Sequence, residues 1–149
     1  MKQTDRFKCA SQQTEPRPRI ELKRRSGGDV LTLDAAELVE QYAVSETDTL
    51  LVLDDNCPYE ERLHLVLMRN DRLIDHIEIG AMYVPGIFNP VDHRDRELRF
   101  RFENDSIWTL TISEAGERML GGLPPGSRRR KGFFAKLYMF LRLGGASKQ

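Results

Sequence analysis

The chain has 149 residues, of which 40% are hydrophobic and 31% are charged, and its formal net charge is zero. This length allows one domain with a hydrophobic core, and no apolar run approaches the roughly 20 residues that a transmembrane helix needs. The first nine residues lack the apolar core of a signal peptide, and two cysteines are too few for a disulfide framework. We therefore expect a cytoplasmic protein.

The charges are distributed unevenly along the chain. Residues 1–28 carry eight Lys or Arg and three Asp or Glu, residues 29–117 carry seven and twenty, and residues 118–149 carry eight and none. An acidic body is therefore flanked by two basic ends. Because such asymmetry concerns association rather than fold, it favours an interaction with a partner.

The N-terminal part of the chain is predicted to be a flexible arm. Residues 1–19 are polar, include two prolines and contain almost no aliphatic side chain. A β-rich domain is expected to follow over residues 20–126, and it should begin with short strands at residues 20–23 and 30–33.

A short helix is predicted after these two strands. Asp34 stands where a helix N-cap is expected, and Glu37 follows three residues later, where its side chain can reach back to the cap. Ala35, Leu38 and Tyr42 would share one helical face, so the helix should extend over residues 35–43. The unbroken apolar run at residues 50–53 predicts a buried strand.

Residues 62–79 predict a first β-hairpin. Leu63, Leu65 and Leu67 share one face of the first strand, and Ile77 and Ile79 share one face of the second. Matching these faces across a loop at residues 70–72 sets the register. Asp75 then falls opposite Leu67, which is a poor fit for a core position. The predicted pairs are Leu63 with Ile79, Leu65 with Ile77, His64 with Glu78 and Val66 with His76.

Residues 96–112 predict a second hairpin. A three-residue loop at residues 104–106 places the apolar side chains of both strands on one face, whereas a two-residue loop would set Arg101 against Trp108. A slip by one residue would move the whole apolar set of a strand into water. The predicted pairs are Phe102 with Trp108, Phe100 with Leu110 and Leu98 with Ile112.

These elements predict a mainly β fold, of the β-rich α+β class. We expect an antiparallel sandwich or partly open barrel of about six or seven strands with one or two short helices. The second of these helices is predicted at residues 113–120, before a break rich in Gly and Pro.

Residues 127–149 predict a basic amphipathic helix. Positive charge precedes an apolar stripe with helical spacing over residues 133–143. We expect this helix to dock on the β-rich domain. An anionic membrane surface is an alternative partner, and nucleic acid is disfavoured because no recognition fold is evident. The residues expected to interact are Arg128, Arg129, Arg130, Lys131, Phe133, Phe134, Leu137, Tyr138, Phe140 and Leu141.

Two groups of side chains could bind a small ligand or take part in acid–base chemistry. The first group should meet across the first hairpin, and the second lies in the connection that precedes the second hairpin. Both groups also have an ordinary structural explanation, namely a cross-strand pair and a charged loop. The groups are His64, His76 and Glu78, and Asp92, His93 and Asp95.

The sequence contains none of the common metal, phosphate or nucleophile motifs, so no cofactor or metal is expected. We expect a non-enzymatic cytoplasmic binding or adaptor module whose partner is another protein or a second copy of the chain. One alternative is a small-ligand-binding barrel, or an enzyme that uses the His/Glu/Asp groups. Another is peripheral membrane association through the C-terminal helix.

Overall fold

The computed structural model describes residues 1–56, 61–80, 86–118, 122–130 and 136–144. These residues form thirteen strands and no helix, so none of them belongs to a helix that could cross a membrane. The strands are β1 (Lys2–Gln3), β2 (Phe7–Gln13), β3 (Arg19–Arg24), β4 (Leu31–Leu33), β5 (Glu37–Ala43), β6 (Asp48–Asp54), β7 (Leu63–Arg69), β8 (Arg72–Ile79), β9 (Asn89–Arg94), β10 (Glu97–Phe102), β11 (Asn104–Glu117), β12 (Ser127–Arg129) and β13 (Leu137–Leu143).

The strands form three antiparallel sheets. The central sheet has six strands in the order β1-β5-β6-β7-β8-β12, the second has four in the order β13-β11-β10-β9, and the third has three in the order β2-β3-β4. One hydrophobic core lies between the central and four-stranded sheets, and another between the central and three-stranded sheets. The prediction of a mainly β, antiparallel fold is confirmed, with more strands than expected, and the sheets stack in layers.

Strands β6 and β7 are buried on both faces. All but the last residue of each strand is buried. Because successive strand side chains alternate, Leu50 and Val52 contribute to the larger core, whereas Leu51 and Leu53 contribute to the smaller one. A strand between two cores has no polar face, which explains the unbroken apolar run.

The larger core joins both hairpins to the C-terminal strand. Leu65 and Ile77 contribute from the central sheet, and Phe100 and Trp108 from the four-stranded sheet. Met139 of β13 is also fully buried there. Full burial of side chains of this size stabilises the fold by about 1.5–3 kcal/mol each, as an upper bound.

The register of the first hairpin is confirmed. All four predicted pairs are present, as is the pairing of Leu67 with Asp75. The loop is shorter than predicted, because a bulge follows Leu67 and the chain reverses in a two-residue turn at Asn70 and Asp71. Asn70 has a φ of 55°, and residues with positive φ suit tight hairpin turns.

The predicted register of the second hairpin is wrong by two residues. Phe100 pairs with Trp108 and Leu98 with Leu110, each two residues closer to the turn than predicted. The chain reverses at Glu103, whose φ is 72°, instead of in a three-residue loop. A slip by two residues keeps every apolar side chain on its face, because strand side chains alternate. The apolar pattern therefore identified the buried face but not the residue pairs.

Both short helices predicted from the sequence are wrong. Residues 35–43 contain β5, and residues 113–120 contain the end of β11. Strand β5 pairs with β6 along its length, and Tyr42 is buried in the larger core. A helix of nine residues is marginal on its own. If this segment were a helix, the backbone groups of the buried strand β6 on the side away from β7 would lack partners. Strand β5 supplies those partners.

The chain termini also differ from expectation. The predicted C-terminal helix is wrong, because residues 137–143 form β13, which pairs with β11. Lys131, Phe133 and Phe134 lie outside the described residues. Residues 1–19, predicted to be a flexible arm, contain β1 and β2, which pair with β5 and β3. In each case pairing with a distant strand decides the conformation.

Phe100 and Arg101 test which face of β10 is buried. Phe100 is fully buried in the larger core, whereas Arg101 points to the opposite face of its strand. We expect Phe100→Ala to lower the free energy of unfolding by about 3–5 kcal/mol. Arg101→Leu should change it by less than about 0.5 kcal/mol. A larger loss for Arg101→Leu in urea denaturation of the full chain would contradict the assigned face.

Candidate metal centre

His64, His76 and Glu78 converge on one face of the first hairpin. His64 stands directly opposite Glu78, and His76 opposite Val66, so the three polar side chains share the face that carries the smaller core. The relative exposures of His64, His76 and Glu78 are 3%, 5% and 3%. The hairpin therefore holds three side chains of metal-ligand type where water has little access.

The ligand atoms of these side chains point into a common space. His64 Nδ1 lies 3.1 Å from His76 Nε2 and 3.7 Å from Glu78 Oε1. One such atom from each residue lies within 4.8 Å of the other two. Because zinc binds nitrogen or oxygen at about 2.0–2.2 Å, neighbouring ligand atoms of a tetrahedral zinc site lie about 3.3 Å apart. The observed separations suit such a site after small side-chain adjustments.

Asp55 orients His64. Its Oδ1 lies 2.7 Å from His64 Nε2, so the ring donates its Nε2–H and keeps a lone pair on Nδ1. Nδ1 is the atom that faces His76 and Glu78. A carboxylate behind a ligating histidine is the usual outer partner in metal sites. Asp55 was not among the predicted site residues, although it directly follows β6, the strand that pairs with β7.

Burial and charge act differently on His76 and Glu78. Burial, reinforced by nearby His64, lowers the pKa of His76 to about 4, so this ring is neutral at neutral pH. Burial alone would raise the pKa of Glu78. The hydrogen bond from Arg128 and the positive charges of Arg128 and Arg130 outweigh burial, so the pKa of Glu78 is lowered. A neutral imidazole and an ionised carboxylate are the states that bind metal ions.

Strand β12 and the residue that follows it bring two arginines to Glu78. Arg128 Nε donates to Glu78 Oε2 at 2.5 Å, and Arg130 Nε lies 2.7 Å from Oε1. Arg130 Nη1 also lies 3.6 Å from Asp34 Oδ2, in the connection between β4 and β5. The sequence predicts an interaction role for these arginines. The structure places their guanidinium groups against carboxylates of the same chain.

The opposite face of β8 carries a buried carboxylate. Asp75, whose position opposite Leu67 is a poor fit by pattern alone, is fully buried. Its Oδ2 accepts hydrogen bonds from Arg129 Nη1 at 2.5 Å and from the backbone N–H groups of Tyr138 and Met139 at 2.8 and 2.9 Å. Arg129 also donates to the carbonyl of Met139 at 2.6 Å. This network joins the central sheet to β13.

The other predicted ligand group lies apart from this cluster. Asp92 and His93 are on β9, and Asp95 lies in the turn that follows. Asp92 pairs with Arg94 at 3.0 Å, and His93 Nδ1–H donates to the backbone carbonyl of Met1 at 3.0 Å. These residues belong to the edge of the four-stranded sheet, and the structure does not bring them to His64.

The apolar residues of the predicted C-terminal helix lie on β13 instead. Leu141 is buried, whereas Leu137, Tyr138 and Phe140 are half-buried. The guanidinium of Arg69 lies 5.1 Å from the centre of the Tyr138 ring. The segment therefore packs on its own domain, as a strand.

No protein-family model matches the chain, and no curated protein or solved structure matches it.

We expect Asp75→Asn to destabilise the fold strongly. The substitution removes the charge that compensates Arg129, and breaking a buried ion pair costs about 3–5 kcal/mol. The matched control is Asp92→Asn, which removes the same charge from a pair with the exposed Arg94 and should cost less than about 1 kcal/mol. Equal losses in urea denaturation at neutral pH would contradict the role assigned to Asp75.

Proposed function

We propose that this protein binds a divalent transition-metal ion through His64, His76 and Glu78. The convergence of three ligand atoms within 4.8 Å, in a buried cluster whose first histidine is oriented by Asp55, carries the proposal. Two imidazole nitrogens and a carboxylate oxygen suit zinc, copper, nickel or cobalt, whereas magnesium and calcium prefer oxygen ligands.

Each residue has a defined part in holding the ion. His64 offers Nδ1, His76 offers Nε2 and Glu78 offers Oε1. Because His64 donates its Nε2–H to Asp55, His76 Nε2–H donates to His64 Nδ1 across 3.1 Å. To bind an ion, His76 carries its proton on Nδ1 instead, which changes the tautomer but not the charge. A tetrahedral ion would have a fourth position for a water molecule.

Burial favours a binding role over a catalytic one. Each of the three ligand side chains is at most 5% exposed, so a substrate would reach the ion only if the covering residues moved away. The ion would instead link β7 and β8 and, through Asp55, the segment after β6. A ligand that binds only the folded state stabilises that state. The proposal therefore keeps the expectation of a non-enzymatic cytoplasmic binding module, with a metal ion as its ligand.

An acidic protein partner is a second candidate. Lys8 of β2 and Lys23 of β3 stand directly opposite each other in the three-stranded sheet. Like charges in this position repel each other, and an acidic surface would relieve the repulsion. The partner could be another protein or the acidic body of a second copy of this chain.

Zinc binding to the chelator-treated full chain tests the metal proposal. We expect calorimetric titration to show saturable binding at one site. Zinc at about 100 times its Kd should raise the free energy of unfolding by about 2.7 kcal/mol. His64→Gln and His76→Gln should abolish this effect, because each removes a ligand nitrogen. The matched control is His93→Gln, which replaces an exposed histidine outside the site and should bind as the wild type does.

Circular dichroism of each variant without zinc establishes whether it folds. Absence of zinc binding in the wild type would contradict the proposal. An equal loss of binding in His93→Gln and His76→Gln would contradict it as well, because that result would place the zinc elsewhere on the surface.

A further inference from the structure

The two oxygens of Glu78 have different surroundings. Oε2 accepts a hydrogen bond from Arg128 at 2.5 Å. Oε1 lies 2.7 Å from Arg130 Nε and 3.7 Å from His64 Nδ1. Arg130 therefore contacts the oxygen that faces the histidines, whereas Arg128 contacts the oxygen that faces away from them.

The contact of Arg130 with Glu78 is close but poorly directed. Although the two atoms are 2.7 Å apart, Oε1 is buried and accepts no hydrogen bond from any residue that the structure describes. A buried carboxylate oxygen without a hydrogen bond is unfavourable. Replacing this contact by a bond to an ion would therefore stabilise Oε1. Oε2, by contrast, already accepts a hydrogen bond from Arg128.

Arg130 has an alternative partner within reach. Its Nη1 lies 3.6 Å from Asp34 Oδ2, and its side chain is 39% exposed. Its backbone N–H donates to the carbonyl of His76 at 3.0 Å, which anchors the residue beside β8. The side chain can therefore turn from Glu78 toward Asp34 and water while the backbone stays in place.

We infer that Arg130 competes with the metal ion for Oε1 of Glu78 and so regulates occupancy of the site. The inference rests on the proposed function. Two cationic groups cannot share one buried carboxylate oxygen without strong repulsion, so the Arg130 contact and the bound ion exclude each other. Without an ion, Arg130 compensates the carboxylate. With an ion, Arg130 moves to Asp34 while Arg128 keeps Oε2 and holds the carboxylate in position.

Arg130→Gln and Arg128→Gln form a matched pair for the test. Each removes one positive charge beside Glu78, but only Arg130→Gln frees the oxygen that the ion needs. We expect Arg130→Gln to bind Zn²⁺ about tenfold more tightly than the wild type, within the range by which outer partners alter metal affinity. Arg128→Gln should bind no more tightly than the wild type, because Glu78 loses the group that orients it. Competition against a chromogenic chelator, with the full chain at neutral pH, measures these affinities.

The outcomes separate this inference from the proposed function. An equal increase of affinity in both variants would indicate a general effect of charge and overturn the competition. Unchanged affinity in Arg130→Gln, with zinc bound by the wild type, would overturn the inference and leave the proposed function standing. No zinc binding in the wild type or in either variant would overturn both. Circular dichroism of the zinc-free variants confirms that the proteins compared are folded.

Discussion

Burial of the central sheet on both faces is the constraint on which the rest of the structure depends. Strands β6 and β7 have a core on either side, and most of β8 is buried as well. A polar side chain on such a sheet cannot reach water, so it needs partners on neighbouring strands. Strand β12 supplies partners on both faces of the sheet, because its successive side chains point to opposite faces. Arg129 meets Asp75 on one face. Arg128, with Arg130 just beyond the strand, meets Glu78 on the other.

The same constraint applies to the buried histidines, which also need partners within the fold. His64 has Asp55 and His76 as its partners, whereas Oε1 of Glu78 accepts no hydrogen bond from the residues that the structure describes. Replacing such a buried polar network by apolar side chains of similar volume is often neutral or stabilising. Stability alone therefore does not explain the buried cluster. We propose metal binding because the ligand types and their separations suit an ion, and Arg130 lies against Glu78 as a compensating charge.

The first hairpin shows how much of the site the sequence could predict. Its predicted register is confirmed, and that register brings His64, His76 and Glu78 together. In either hairpin a slip by two residues preserves the apolar face, so the apolar pattern alone does not decide the register, and the register predicted for the second hairpin was wrong. The roles of Asp55 and Arg128 depend on which segments lie beside the hairpin. Arg128 and Glu78 are 50 residues apart, and local side-chain patterns contain no information about such pairing. The same limit explains β13, whose apolar spacing suited a helix until its pairing with β11 was known.

X-ray absorption spectroscopy of the zinc-loaded full chain tests the metal centre most directly. We expect a first shell of nitrogen and oxygen atoms at about 2.0–2.2 Å, with the outer-shell scattering of two imidazole rings. A first shell containing sulfur at about 2.3 Å would assign the ion to the cysteines. A shell of oxygen atoms without imidazole scattering would assign it to surface carboxylates. Either of these two results would contradict a metal centre at His64, His76 and Glu78.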